Sequence, residues 1–335
     1  MSFFMGANIH VGKMAVSTGS GGPVRATDAT VQPSNFVFSN LGATTMTVGW
    51  TAGNGTYTLV AVRGARLVAS VQLFTRSIRA PGGTALALGG IGSVATHPEF
   101  ERRGIATALL HRAGAEMRRR GTALSLLFSD RVAFYERLGW QQVTHPVWVL
   151  RWSEPTPDGR AGRVRELRET DLPALRSIYA EFNAGRPGTT LRDESYWRGQ
   201  LAFAGNPEER VRVIEAGGTP VAYARRIDFA GLDRISEFAA RRGHESALAL
   251  VLRDLARAPD RPLFVPAVPD PAVDRALAVA GSARDVIDFP GQMWRVEDRG
   301  RLESLVVGGA DLDDAALLRA TIAGASALYW PSDRF

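Results

Sequence analysis

The run Val94-Ala95-Thr96-His97-Pro98-Glu99-Phe100-Glu101-Arg102-Arg103-Gly104-Ile105-Ala106-Thr107 constrains this chain more than any other. It closes a strand-like stretch, Ala85–Thr96, and opens a helix in which Ile105, Leu109, Ala113 and Met117 recur every fourth residue, with Ala108 and Leu110 beside them. Gly121 is placed to end that helix. An Arg-Arg-Gly turn between strand and helix faces the helix's first amides, which lack partners inside the helix and so make an anion site. Gly104 lets the backbone approach a pyrophosphate, the helix dipole adds about 0.3–1 kcal/mol, and Arg102 or Arg103 can supply charge-assisted bonds. Spacing alone fits a plain helix start equally well.

Around this run the chain divides. Its 335 residues suit two cores better than one. Residues 1–56 carry only Lys13, Arg25 and Asp28 as charges, and Asn35–Ser39 and Thr45–Thr51 read as short strands. From Tyr57 the pattern predicts antiparallel strands over Tyr57–Arg63, Arg66–Arg79 and Ala85–Thr96. The long helix, a buried strand at Ala123–Phe128, a helix over Arg131–Leu138 capped by Ser129 or Asp130, and a strand at Val147–Trp152 complete the unit at 57–153. A Pro-rich polar linker follows at 154–162, then a second unit at 163–298 and a tail at 299–335. The second unit offers a strand at Arg163–Leu167 and a helix capped by Thr170 that carries Leu172, Leu175, Ile178, Tyr179 and Phe182 on one face. Strands at Arg210–Glu215, Pro220–Asp228 and Ile235–Phe238 and a helix at Glu245–Ala256 come next, an order that approximates the first unit and suggests an internal duplication.

Composition removes several function classes. Hydrophobic residues at 45% and charged residues at 22% describe a soluble globular chain. No apolar run approaches the roughly 18 residues of a membrane span, and Met1–Met14 has no signal-peptide core, so no membrane partner and a cytoplasmic location are expected. The absence of cysteine excludes disulfides, thiolate metal sites and Cys nucleophiles. His10, His97, His111, His145 and His244 stand at no metal-ligand spacing, so no metal is expected. The net charge of +6 rests almost wholly on arginine, Lys13 being the one lysine, which suits an anionic ligand. That charge is spread too thinly for nucleic acid, and Arg118–Arg120 closes a helix, where cations complement the dipole. Neither a Walker loop nor a Gly-x-Ser-x-Gly elbow occurs, and Pro98 interrupts the dinucleotide fingerprint that Gly90, Gly92 and Ala95 would begin.

Together with Phe134-Tyr135-Glu136-Arg137-Leu138-Gly139-Trp140 downstream, the strand, turn and helix resemble the GNAT N-acetyltransferase superfamily in order and spacing. The resemblance implies an α/β (α+β) architecture of two tandem GNAT-like domains, each a mixed, mostly antiparallel sheet flanked by helices, behind a strand-like N-terminal segment. Acetyl-coenzyme A is the implied acyl donor. Its pantetheine arm would pair with the backbone of Val94, Ala95 and Thr96. Its pyrophosphate would rest on Arg102, Arg103, Gly104, Ile105, Ala106 and Thr107, with Asp130 and Arg131 nearby. Gly89, Gly90 and Gly92 suit a bulged strand that opens such a slot. Tyr135 stands where the family places its general acid, a donor that protonates the departing thiolate. One departure is Glu101, where the family usually has Arg or Gln; an acid there must point to solvent.

A lysine-like amine with a pKa near 10.4 lies about 3.4 units from neutrality at pH 7, so a base or water path is useful. Ala85–Thr96 contains no Glu for that role. More narrowly, the Gly89–Pro98 run, the repeated half and the C-terminal addition resemble the Eis (enhanced intracellular survival) type of acetyltransferase. That type acetylates aminoglycosides and other polyamines and uses its terminal carboxylate as base. The resemblance carries this role to Phe335, with Tyr329 and Trp330 as anchors for the tail. A small-molecule amine acceptor and a homo-oligomer are implied with it. In the second half, Ala240-Arg241-Arg242-Gly243-His244-Glu245 keeps the turn but places Glu245 where a phosphate would sit, so this half reads as non-binding. Pro33–Gly55 resembles the opening strands of a fibronectin type III domain. A non-catalytic protein that uses the same frame to hold a ligand or partner stays open as the alternative.

Overall fold

The structure is a computed structural model that describes residues 36–40, 46–52, 56–64, 66–152, 162–202, 209–229, 231–256, 261–268, 270–280, 282–323 and 327–334. Phe335, nearly all of the 154–162 linker and most of residues 1–56 lie outside the described residues. Strands β1 (Phe36–Asn40) and β2 (Met46–Ala52) form a hairpin that adds to β3 (Thr56–Arg63) at the edge of the main sheet. β3 turns at Gly64, whose φ of 60° favours glycine, into β4 (Arg66–Arg79), which pairs antiparallel with β5 (Ala85–Thr96). Helix α1 (Ile105–Arg119), strand β6 (Leu124–Phe128), helix α2 (Val132–Glu136) and strand β7 (Gln141–Trp152) follow.

Two of these depart from the sequence pattern. The helix expected over Arg131–Leu138 is a single short turn, because Gly139 adopts a φ of 88° and the Trp140 amide folds back onto the Tyr135 carbonyl at 3.1 Å. The strand expected from Val147 begins at Gln141, since its first residues pair with a strand from far along the chain.

The second half contains β8 (Arg163–Glu166), α3 (Leu172–Phe182), α4 (Glu194–Ala202), β9 (Arg210–Ala216), β10 (Thr219–Phe229), β11 (Leu232–Ala240), α5 (Ser246–Leu255), β12 (Leu263–Pro266), α6 (Pro271–Val279) and β13 (Ser282–Val296). From β9 onward the order of three antiparallel strands, helix, parallel strand, helix and long strand repeats that of β3 to β7. All thirteen strands join one sheet in the order β1-β2-β3-β4-β5-β6-β13-β7-β12-β11-β10-β9-β8. The long strands are therefore exchanged: β13 lies against β6 of the first half, β7 lies against β12 of the second, and the two pair with each other along most of their length.

Three apolar clusters fill the fold. Leu109, Leu110, Ala113 and Met117 of α1 pack on one face of β3 to β6, and Met117 sits so close to Gly89 that an added Cβ would stand 2.7 Å from its sulfur. On the opposite face, α7 (Arg299–Glu303) and α8 (Asp314–Ile322) place Leu302, Leu317, Leu318 and Ile322 against Leu86, Leu88, Leu124 and Leu126. The stretch read as a tail from residue 299 thus contributes two helices to the first half's core. The third cluster joins α3, α5 and α6 to β7 and β9 to β12 and includes Trp330.

Candidate active site

β5 and β6 run parallel and paired from Leu88 with Leu124 to Ile91 with Leu127, and no further pair joins them. The cause lies on the other side of β5. Gln72 of β4 is opposite Gly92 and Ser70 is opposite Ala95, so β5 carries one extra residue there. This bulge puts Ser93 at φ 48°, a conformation that costs a non-glycine residue about 1 kcal/mol or more, and its hydroxyl donates to Gln72 Oε1 at 2.7 Å. Beyond the bulge, Val94, Ala95 and Thr96 keep their contact with β4 and present an open edge towards the end of β6. An open strand edge of this kind accepts an extended, amide-bearing ligand as an additional strand.

The turn that follows is built from its own backbone. The His97 amide donates to the Val68 carbonyl at 2.8 Å, Pro98–Phe100 make a 3-10 turn, and the Glu101 amide donates to the Pro98 carbonyl. Arg102 and Gly104 then take φ values of 57° and 76°. Residues of this left-handed type beside ordinary ones turn successive N–H groups to one side and form an anion-binding concavity. The first bond inside α1 runs from the Ala108 amide to the Gly104 carbonyl at 2.9 Å, so the amides of Ile105, Ala106 and Thr107 precede the ladder. Glu101 through Gly104 are exposed, and the Glu101 carboxylate has no ion-pair partner among the described residues.

Tyr135 lies on α2, across β6 from this turn. Its ring is buried between Phe134 at 4.9 Å and Trp140 at 6.0 Å, both edge-on, within the cluster that also holds Leu127 and Met293. Burial pushes its hydroxyl above the ordinary value, with Arg131 opposing and Asp130 adding, so the phenol is protonated at neutral pH. Asp130 and Arg131 are exposed at the start of α2, where Ser129 Oγ accepts from the Arg131 amide at 3.0 Å.

The opposite face of β6 meets the chain's end. Tyr329 packs against Phe128 and Trp294, and its hydroxyl donates to the Asp333 carbonyl at 2.7 Å. Trp330 is fully buried and donates from its indole nitrogen to Asn183 Oδ1 at 3.1 Å. Asp333 accepts from Arg192 Nε at 3.0 Å and from the Tyr196 hydroxyl at 2.8 Å, while Glu237 accepts from Nη2 of the same arginine and from the Tyr223 hydroxyl. Arg192, Glu237 and Asp333 have no exposed side-chain surface at all. Burial would raise the Glu237 carboxyl, yet Arg192 and Arg225 overcome it and hold the group below its ordinary value. The next residue, Arg334, stacks on Phe128 at 4.6 Å, so the tail arrives at the last residue of β6, beside the opened strands. The sequence pattern pointed to Tyr329 and Trp330 as anchors; the buried ionic latch behind them joins residues far apart in sequence and left no local signal.

The corresponding turn of the second half is occupied by the protein itself. Glu245 accepts from the Gly243 amide at 3.0 Å and Glu181 from the Arg242 amide at 2.9 Å. These carboxylates take the place an anionic ligand would need.

Residues 51–143, which span this site, match the family model described as the acetyltransferase (GNAT) domain. Two uncharacterized N-acetyltransferases of Streptomyces avermitilis are similar in sequence. One is 27% identical over 152 residues, covering 42% of this chain and 36% of the relative. The other is 28% identical over 172 residues, covering 47% and 41%. The chain thus matches less than half the length of these relatives. Among solved structures, a probable N-acyltransferase of unknown function from Enterococcus faecalis aligns with a TM-score of 0.58 and 17% identity over 74% of this chain and 64% of its own. A GCN5-related N-acetyltransferase from Kribbella flavida aligns at 0.57 with 18% identity over 74% and 62%. Eis1 from Mycobacterium abscessus aligns at 0.50 with 20% identity over 74% and 66%. At such identities these structures share a fold with the chain. Among the described residues, no helix is long and apolar enough to cross a membrane, and no group of three His, Cys, Asp or Glu side chains is placed to hold a metal.

Proposed function

We propose that this chain moves an acetyl group from acetyl-coenzyme A to a primary amine by direct transfer, with the chemistry in residues 57–153. The observation that carries the reading is the opening of β5 from β6 beyond Ile91, which leads directly into the amide-lined turn at Arg102–Thr107. Together they form a slot for an extended arm and a cradle for its diphosphate. In this reading Val94, Ala95 and Thr96 pair with the pantetheine, Arg102 to Thr107 receive the diphosphate, and Asp130 and Arg131 flank the arm.

The acceptor nitrogen attacks the thioester carbonyl carbon, the carbon–sulfur bond breaks, and the thiolate takes the Tyr135 proton. The ammonium proton leaves to a base. That base, or a path through water, is expected near Phe128, which the tail reaches at Arg334. Residues 163–298 shape the acceptor pocket and supply the latch. By resemblance, the acceptor is a polyamine, an aminoglycoside or a lysine-like amine, and the protein is a cytoplasmic homo-oligomer.

Calorimetric titration with acetyl-coenzyme A, followed by turnover on a panel of amines, tests the proposal. Saturable binding with release of free thiol on at least one amine supports it. In a second reading the same frame holds a ligand or partner without transfer, and Glu101, an acid beside the cradle, bears on the affinity in either case. Binding without turnover on any amine selects that reading, and absence of binding removes both.

A further inference from the structure

Beside the cradle, three arginines gather on one aromatic ring. The guanidinium carbons of Arg63, Arg66 and Arg103 stand 5.8, 5.6 and 5.3 Å from the centroid of Phe100. They come from three places: the end of β3, the start of β4 and the turn before α1. Phe100 is anchored in the α1 core with 9% of its surface exposed, so the ring is a fixed platform. Arg66 has an acid, Glu99, at 2.7 Å, and contacts His97 Nε2 at 2.8 Å. Arg63 and Arg103 have no carboxylate partner among the described residues. Contact with the ring gathers the three guanidinium groups, with Arg66 engaged by Glu99 and His97 and the N–H edges of Arg63 and Arg103 open to a ligand, and the excess of positive charge favours an anion.

Arg103 belongs to both places, since it stands one residue before Gly104 of the cradle. An anion on Phe100's arginines is therefore next to whatever the amides of Ile105–Thr107 hold. We propose that Arg63, Arg66 and Arg103 form a second anion subsite that takes the ribose phosphomonoester of coenzyme A, so that the chain selects a carrier with three phosphates over one with the diphosphate alone. A phosphomonoester is close to dianionic at neutral pH, with a second pKa of about 6, and offers three acceptor oxygens to several forks at once. The inference rests on the cofactor reading above and adds a discrimination that the cradle alone does not provide.

The test uses the full chain and isothermal calorimetry with coenzyme A and 3′-dephospho-coenzyme A. The wild type is expected to bind the dephospho form roughly tenfold or more weakly, as loss of charge-assisted bonds implies. Arg63→Gln, on the exposed end of β3, is expected to weaken coenzyme A several-fold and leave the dephospho form unchanged, narrowing the ratio. Arg63→Lys, which keeps the charge and loses the fork, is expected to fall between. Equal binding of both carriers by the wild type, or equal weakening of both by Arg63→Gln, overturns the subsite while the cofactor reading stands. If neither carrier binds, the cofactor reading falls and takes the subsite with it. An unchanged melting temperature in each variant shows that the fold is intact.

Discussion

Tyr135 occupies a helix of five residues, held by ring contacts more than by helical propensity. Replacing it with Phe keeps those contacts and removes only the proton. Turnover is expected to fall about 10²–10⁴-fold with coenzyme A affinity nearly unchanged, as steady-state kinetics and calorimetry would show; unaltered turnover removes Tyr135 from the reaction. His145, in the seam between β7 and β13 opposite Phe289, makes a different prediction. Burial lowers its pKa from the ordinary 6.5 to about 4, with Gln292 opposing. Between those values the unfolded chain binds the proton more readily, so stability present above about pH 6.5 declines as pH falls towards 4, by on the order of 2–3 kcal/mol. Denaturant unfolding across pH 4–7 would show this slope, and His145→Gln should flatten it.

The elements that build the site differ in how openly the sequence declares them. α1 and the turn before it were legible because their signals are local: a four-residue apolar repeat, a glycine at a left-handed position, and a strand ahead. The glycines of β5 marked the region of the bulge, but the extra residue itself is Ser93, whose left-handed conformation is stabilised by the neighbouring strand rather than by its own preference. β13 and the early part of β7 carried no usable signal, because each depends on a partner more than a hundred residues away. Gly104 allows a direct check at this level. A Cβ there would touch nothing within 4 Å, so Gly104→Ala isolates the backbone cost at φ 76°. Thermal unfolding should register a loss of about 1 kcal/mol, and coenzyme A affinity should fall as the cradle shifts.

Across the molecule, the exchanged strands and the latch bind the two halves to one task. Arg192→Met leaves Glu237 and Asp333 buried with their shared cation gone, a change expected to cost about 3–5 kcal/mol by denaturant titration. A fragment ending at residue 153 lacks β13 and opens the sheet between β6 and β7, so it is expected to be insoluble alone and recovered by co-expression with residues 154–335. The exchange also sets what variation the gene can tolerate. The second half's turn, already filled by its own carboxylates, is free to change, whereas its last strand is an internal wall of its neighbour and must hold its shape for the neighbour's sake.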